Sequence, residues 1–348
     1  MQVTIDIRNL TFPELNEHLL ALGEKSFRAK QVYEWLWNKS ARSFDEMTNL
    51  SVELRQKLKD SFLLRPVAEY NRQVSSDGTI KSGFRLHDHH LIEGVLIPAD
   101  DRMTACVSSQ VGCSLTCKFC ATGKLDRIRN LDASEIYDQV VMIRNQALAN
   151  YNTPLTNIVY MGMGEPLLNY ANVIRSVELI TSEQGLGMAA KRITVSTAGI
   201  AKMIKKLGDD EVRFNLALSL HAANDKKRND IMPINEHNNL EVLADALKYF
   251  YSKTESRVTF EYIVFHGFND EIQDARELAA FCKNVPCKVN LIEYNPIEEG
   301  GFLNAKEDKI EAFSRFLEDR NIIVNIRRSR GKDIDAACGQ LANKGNKN

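Results

Sequence analysis

Residues 104–123 read TACVSSQVGCSLTCKFCATG. The stretch begins as a β-rich run, TACVSS, and passes into a loop crowded with cysteine. From there to the C-terminus, strand-like runs alternate with helical ones. The β-rich runs are TACVSS, NIVYMG, RITVST, FNLALSL, VTFEYIVF, KVNLIEY and IIVNIR, and the spacing predicts helices around 133–149, 170–183, 238–251, 271–284 and 306–319. Repeated βα units imply a parallel sheet. Six or so units can close partly into a barrel or lie open as a doubly wound sheet, and periodicity does not choose between them. Both put ligand chemistry at the carboxyl ends of the strands.

Upstream the rhythm differs. Residues 11–62 repeat at helical spacing, with Pro13 near a helix start, whereas 66–97 break into the shorter runs AEYNRQV, KSGFRL and LIEGVLI, the first two separated by turn residues Ser76, Asp77 and Gly78. The division expected is a helical N-terminal domain (1–64), a β-meander connector (65–99) and an α/β core (100–348). Lys25, Arg28 and Lys30 make the first a candidate RNA contact. With 45 basic against 46 acidic residues in 348, any nucleic-acid surface must be a local patch. No segment approaches a membrane span and MQVTIDIRNL has no basic leader, so the expected location is the cytoplasm.

Seven cysteines are an odd count, and four of them fall between positions 106 and 120, which favours metal or redox chemistry over a disulfide scaffold. Cys113, Cys117 and Cys120 are spaced C-x3-C-x2-C. A zinc site normally takes four protein ligands, whereas a four-iron cluster held by three cysteines leaves one iron open to an exogenous ligand. A zinc knuckle or coincidentally buried thiols remain the alternatives to that reading.

The spacing, with the aromatic Phe119 before the last cysteine, resembles the radical S-adenosylmethionine (SAM) superfamily. The resemblance implies a 4Fe-4S cluster on Cys113, Cys117 and Cys120, with SAM chelated at the open iron and cleaved to a 5′-deoxyadenosyl radical, the cofactor carrying the hard chemistry. Further motifs each end a strand-like run: Met161–Asn169 (MGMGEPLLN), Ser196 in TVSTAGI, Ser219–His221 in LALSLHA and Asn295 in EYNP. Singly these are as often ordinary capping. Together with Cys106 in ACVSSQVGC and Cys338 in GKDIDAACGQL they resemble the RlmN type of ribosomal RNA methyltransferase, from FRAKQVYEWLW to ACGQL.

That resemblance implies an α/β fold, a partial (βα)6 radical SAM barrel with a small helical N-terminal domain and a β extension. It implies SAM contacts at Gly164, Glu165, Ser196, Ser219, Leu220, His221 and Asn295, and methylation of adenosine carbon 2 in 23S ribosomal RNA, with tRNA as a second substrate. In the family scheme the residue matching Cys338 carries a methyl from one SAM. The radical from a second SAM abstracts hydrogen from that methyl and the product adds to the base. A thiol matching Cys106 resolves the adduct as a disulfide, and Glu93 matches the proton acceptor. A monomer served by an electron donor such as flavodoxin is expected.

Each of these residues has a plainer reading, since cysteine is often a small buried hydrophobe and a strand glutamate usually faces solvent. Cys282 and Cys287 read as core, and the run His87, Asp88, His89, His90 as a solvated turn. Basic residues flank the proposed chemistry on both sides, Lys118, Lys124, Arg127 and Arg129 at the cysteine loop and Arg327, Arg328, Arg330 and Lys332 before Cys338, as phosphate contacts would. The rival readings are the related carbon-8 methyltransferase of antibiotic resistance, from which Pro166 distinguishes this chain, a radical SAM enzyme for a small molecule or protein, and an iron-sulfur or zinc-stabilised RNA binder without methyltransferase activity.

Overall fold

The computed structural model describes residues 5–100, 102–298 and 300–343; residues 1–4 of the stretch read for a leader, and residues 344–348, lie outside them. A short parallel pair, β1 (Ile5–Asp6) with β2 (Phe62–Leu63), closes over three helices, α1 (Phe12–Ala21), α2 (Phe27–Trp37) and α3 (Val52–Ser61). Local chemistry sets their starts. The Glu14 N–H donates to the Thr11 hydroxyl while the Glu14 carboxylate takes the Thr11 N–H, and Pro13 sits in the first turn, where an N–H has no partner anyway. Ser51 caps α3 through the Leu54 N–H.

The meander follows as β3 (Ala68–Val74), β4 (Ile80–Arg85) and β5 (Leu91–Ala99), antiparallel throughout, and β5 pairs antiparallel with β6 (Arg102–Cys106). Residues 65–99 are thus one edge of the main sheet as well as a connector. Beyond β6, a two-stranded clip of β7 (Gln110–Val111) and β8 (Arg129–Asn130) pinches the base of the cysteine loop.

The remainder alternates α4 (Ala133–Tyr151), β9 (Asn157–Tyr160), α5 (Tyr170–Thr181), β10 (Ile193–Thr197), α6 (Ala201–Asp209), β11 (Asn215–Ser219), α7 (Asp225–Ile231), α8 (Leu240–Thr254), β12 (Val258–Val264), α9 (Ile272–Cys282), β13 (Cys287–Glu293), α10 (Glu307–Glu318) and β14 (Ile323–Arg327). The ten-stranded sheet has the order β14-β13-β12-β11-β10-β9-β6-β5-β4-β3, and every pairing from β6 to β14 is parallel. Six βα units and a closing strand make the (βα)6 arrangement. Helices α6 and α7, at 9 and 7 residues, are too short to declare themselves by periodicity and were not expected.

The choice that periodicity left open is settled by curvature. Cys106 on β6 and Arg327 on β14 line one cavity although five strands separate them in the sheet. Only a curled sheet can do this. It stays a partial barrel, since β14 and β3 are its two free ends. Strand β12 is buried along all seven residues, as a central parallel strand covered on both faces should be.

The N-terminal helices share the core of the barrel rather than building a separate one. Trp37 meets Tyr137 of α4 edge to face at 5.1 Å, and the Tyr137 hydroxyl donates to the Trp37 carbonyl. Arg8, 3 % exposed, donates to Asp138 of α4 at 2.8 Å, and the same carboxylate oxygen takes the Val67 N–H at 2.9 Å. Removing one partner strands a buried carboxylate, so Arg8→Ala should cost about 3–5 kcal/mol of stability in urea unfolding. A loss under ~1 kcal/mol would show that the contact is replaced by water.

Candidate active site

At the carboxyl ends of the parallel strands lies a cavity of about 920 Å³, its open mouth included. Its wall takes Cys113, Cys117 and Cys120 from the loop, Gly164 and Glu165 after β9, Ser196 and Ser219 from β10 and β11, His221, Glu261 from β12, Arg327 from β14, and Cys338. Residues from across the whole chain meet there. Leu220, Asn295 and Glu93 are not in the wall and stand behind it or beside it.

The cysteine loop owes its shape to Gly112, whose φ of +74° and 1.9 Å approach of any added Cβ to the Asp126 carbonyl admit no side chain. All three thiols line the cavity, and among the described residues no group of three or more His, Cys, Asp or Glu is set to hold a single metal ion. A 4Fe-4S cluster held by three cysteines takes each thiolate on a different iron. Burial pushes the Cys113 thiol up to about 11 and raises Cys117 and Cys120 as well. A coordinated metal deprotonates such thiols outright.

The strand ends behind the loop form a cradle of polar groups. Gly164, at φ +97°, presses against Gln110, where a Cβ would come within 2.5 Å of the Gln110 Cβ. The buried Glu165 carboxylate accepts from Leu167 N at 3.0 Å and Ala198 N at 2.7 Å, tying β9 to β10. Ser196 and Ser219 hydroxyls lie 3.3 Å apart. His221 Nδ1 accepts from Ile263 N at 3.1 Å, which leaves the proton on Nε2, and burial holds the ring neutral with its pKa down at about 3. Its ring stands edge to face on Phe119 at 4.7 Å. Leu220 is wholly buried and contributes backbone alone, its N–H donating to the Glu261 carbonyl.

Cys338 opens onto this cavity, and with Cys106 it also lines a smaller one beside it. Its segment is strapped down along its length. Asn295 Nδ2 donates to the Cys338 carbonyl (3.2 Å), Ala121 N to Gly339 O (2.7 Å), Thr122 Oγ1 to Leu341 O (2.6 Å) and Gln340 Nε2 to Pro296 O (3.1 Å). Glu93 takes the far end, its Oε2 accepting from Ala342 N at 2.9 Å and Asn343 N at 3.1 Å, with Lys81 Nζ 3.7 Å from the other oxygen. All seven cysteines are free thiols. Cys106 is pushed up to about 12, by burial first and by Cys338 next, while Arg327 pulls it down.

Several functional neighbours escaped the sequence reading. Glu261 was legible as a lone charge inside the apolar run VTFEYIVF; it is buried, its Oε1 takes Asn290 Nδ2 at 2.8 Å and its Oε2 lies 3.6 Å from Arg327. Thr122, Gln110 and Arg228 carried no signal. The basic flanks are also more committed than expected. Arg129 is paired with Asp88 (2.6 Å) and Glu135 (2.7 Å), Arg327 with Glu261, Arg328 with Glu307 and Lys332 with Glu293 (2.7 Å). Asp88 in the histidine-rich turn therefore anchors the loop through Arg129 and is not merely solvated. Lys118, Lys124 and Arg127, on the cysteine loop and its return, are exposed, with no ion pair among the described residues.

The cavity fits a cluster with SAM on the donor chemistry: three thiols in its wall, hydroxyl and imidazole groups beside them, and the Glu261 Oε2, which faces Arg327 at 3.6 Å but has no hydrogen-bond partner among the described residues. A partial βα barrel with this loop at its first strand end is the site of a radical SAM enzyme. Residues 107–279 match the radical SAM superfamily and residues 5–64 the N-terminal domain of ribosomal RNA large subunit methyltransferases. The chain is 67% identical over 336 residues to a probable dual-specificity RNA methyltransferase RlmN of Cytophaga hutchinsonii, covering 97% of this chain and 92% of that one. It is 43% identical to the dual-specificity RNA methyltransferase RlmN of Geobacter sulfurreducens, with 99% and 94% covered. A radical SAM methyltransferase from Sphaerobacter thermophilus, 41% identical, superposes with a TM-score of 0.91 over 97% of this chain and 99% of that one. The chain belongs to the RlmN family of radical SAM methyltransferases, whose cofactors are a 4Fe-4S cluster and SAM.

The strap makes a measurable expectation. Glu93→Ala removes the acceptor for two amides and Thr122→Val removes one buried hydrogen bond worth about 1 kcal/mol. Amide exchange across 338–343 should accelerate several-fold in each, read by mass spectrometry, with Thr122→Ser close to wild type. Unchanged exchange in both would mean that packing alone holds the segment.

Proposed function

We propose that this chain methylates carbon 2 of an adenine in 23S ribosomal RNA and in tRNA through a methyl group carried on Cys338. The observation that supports it most is the meeting of Cys338 with Cys106 and the cysteine loop around adjoining cavities, although more than two hundred residues separate Cys338 from that stretch. A simple methyl transfer needs neither extra thiol, because a nucleophilic atom would take the methyl directly. The C2 carbon of adenine is not a nucleophile, so a protein-bound carrier is required. The dual-specificity relatives support the pair of RNA substrates.

The cluster with SAM, when bound, supplies the oxidant that removes hydrogen from an otherwise inert methyl. The protein does the rest. Cys338, its own carbonyl held by Asn295 and that of Gly339 by the Ala121 N–H, holds the methyl sulfur at the cavity wall. Arg327 favours the ionised form of both Cys338 and Cys106, which burial otherwise opposes. Cys106 attacks the Cys338 sulfur, forming the S–S bond as the S–CH2 bond to the base breaks. Glu93 accepts the ring proton; its carboxylate is turned to Ala342 and Asn343, so the segment shifts when it acts. Lys118, Lys124 and Arg127 are the cations that meet phosphate while the base leaves its stack. An electron donor of the flavodoxin kind and a cytoplasmic, monomeric protein complete the reading; no helix among the described residues is long and apolar enough to cross a membrane.

Replacing Cys113, Cys117 or Cys120 by Ala should abolish SAM cleavage, and full activity with retained iron in any one of them would refute the ligand assignment. In Cys106→Ala, by contrast, methylation of Cys338 should persist and RNA should stay covalently attached. A nuclease-sensitive band on a denaturing gel, absent from the Cys106→Ala, Cys338→Ala double variant, is the expected result. Normal turnover by Cys106→Ala would reduce Cys106 to a packed core thiol. Mass analysis of the product should place the methyl on carbon 2; a carbon-8 product would assign the chain to the resistance type.

A further inference from the structure

Arg228 on α7 is 0 % exposed, and no step above uses it. Its Nε donates to Leu220 O at 3.1 Å, its Nη1 to Asn235 Oδ1 at 2.6 Å, and its Nη2 to Ala198 O at 2.6 Å and Ser219 O at 3.3 Å. Every one of these acceptors is neutral. Among the described residues the guanidinium makes no ion pair, although the other buried arginine, Arg8, has one. Dehydrating a cation costs several kcal/mol, and a buried guanidinium is ordinarily answered by a carboxylate. Burial brings its pKa down to about 10, which leaves it charged near neutral pH.

The anion it lacks is indicated by what α7 packs against. Lys118 N, inside the cysteine loop, donates to the carbonyl of Ile231 at 3.0 Å, which fastens the end of α7 between Cys117 and Cys120. Ile231 and Met232 pack in one cluster with Leu115, Phe119 and the three cysteines. Arg228 lies one turn before Ile231 on α7, and Ala198 and Ser219, whose carbonyls hold it, line the same cavity as Cys117. Asp225 lies on the same helix but makes no ion pair with the guanidinium among the described residues; its Oδ1 accepts from Asn235 Nδ2 at 2.8 Å and Leu240 N at 3.0 Å.

We propose that Arg228 is the buried counter-cation of the iron-sulfur cluster, held behind the cavity wall by neutral acceptors, and that it raises the cluster's reduction potential. The proposal rests on the reading of Cys113, Cys117 and Cys120 as cluster ligands. A cubane with three thiolates is anionic and becomes one charge more negative when it takes an electron, so a fixed cation in a low-dielectric wall stabilises the reduced state more than the oxidised one. Carbonyl and amide acceptors hold the guanidinium without quenching its charge. A carboxylate in their place would have cancelled the effect. Arg228 is thus a positioning and tuning residue, not one that touches the reacting atoms.

The test is a redox titration of the cluster followed by electron paramagnetic resonance in full-length protein reconstituted anaerobically with iron and sulfide. Arg228→Gln should keep wild-type iron and sulfide content and shift the midpoint to more negative potential, while Arg228→Lys stays near wild type. Asn235→Asp, which sets a carboxylate against the guanidinium and leaves the arginine in place, should shift the midpoint the same way and decides the matter should Arg228→Gln not fold. Wild-type potential in loaded Arg228→Gln or Asn235→Asp would overturn the proposal and leave Arg228 a tie between strand ends. So would an unchanged potential with weakened SAM binding, which would assign the cation to the SAM carboxylate. If the wild-type chain itself took up no cluster, the ligand reading would fail rather than the counter-cation.

Discussion

The structure depends on the curl of one parallel ladder. Strands β6 to β14 hydrogen-bond in sequence, so a flat sheet would leave Cys106 and Arg327 six steps apart, at roughly 4.8 Å per step. Twisted strands covered by α4 to α10 on one face roll the ladder until both residues face one space. Most polar groups of the site sit at strand ends, where the backbone leaves its ladder and can offer N–H and C=O groups inward; Glu261 stands in mid-strand on β12. The outer strands of the sheet, β14 and β3, do not pair with one another.

Two devices turn that space into a reaction chamber. The first is the strap from Cys338 to Asn343, which bonds to the cysteine loop at Ala121 and Thr122, to the segment after β13 at Asn295 and Pro296, and to Glu93 on β5. It ties Cys338 to the cysteine loop through contacts one and two residues beyond Cys120. The second is charge placed without its usual partner. His221 is held neutral, Glu165 is stabilised by N–H groups alone, and Arg228 by carbonyl and amide oxygens alone. Such arrangements cost stability, and they leave each group's electrostatic influence available to a bound anion or donor.

The sequence by itself determined the class of fold and the chemistry of the loop. Parallel βα units show in sequence because strands such as VTFEYIVF are buried on both faces and read as unbroken apolar runs, while α4 and α10 carry full helical periods. The thiol spacing of Cys113, Cys117 and Cys120 is local, so seven intervening bonds of chain or fewer suffice to bring them together, and the loop's turn at Gly112 follows from its own steric needs. What tertiary structure alone decided is everything that needs two distant segments at once. Whether the sheet curls, whether residues 65–99 extend it, and where Cys338 comes to rest depend on packing over the whole ladder. Basic residues looked alike in sequence, yet Arg129 and Arg327 are spent on Glu135 and Glu261 while Arg127 stays exposed, because a charge is free or committed according to what the fold brings beside it. Arg228 is the extreme case: in DKKRNDI it reads as one more solvated charge, and only the burial of α7 against the cysteine loop makes it an unanswered cation.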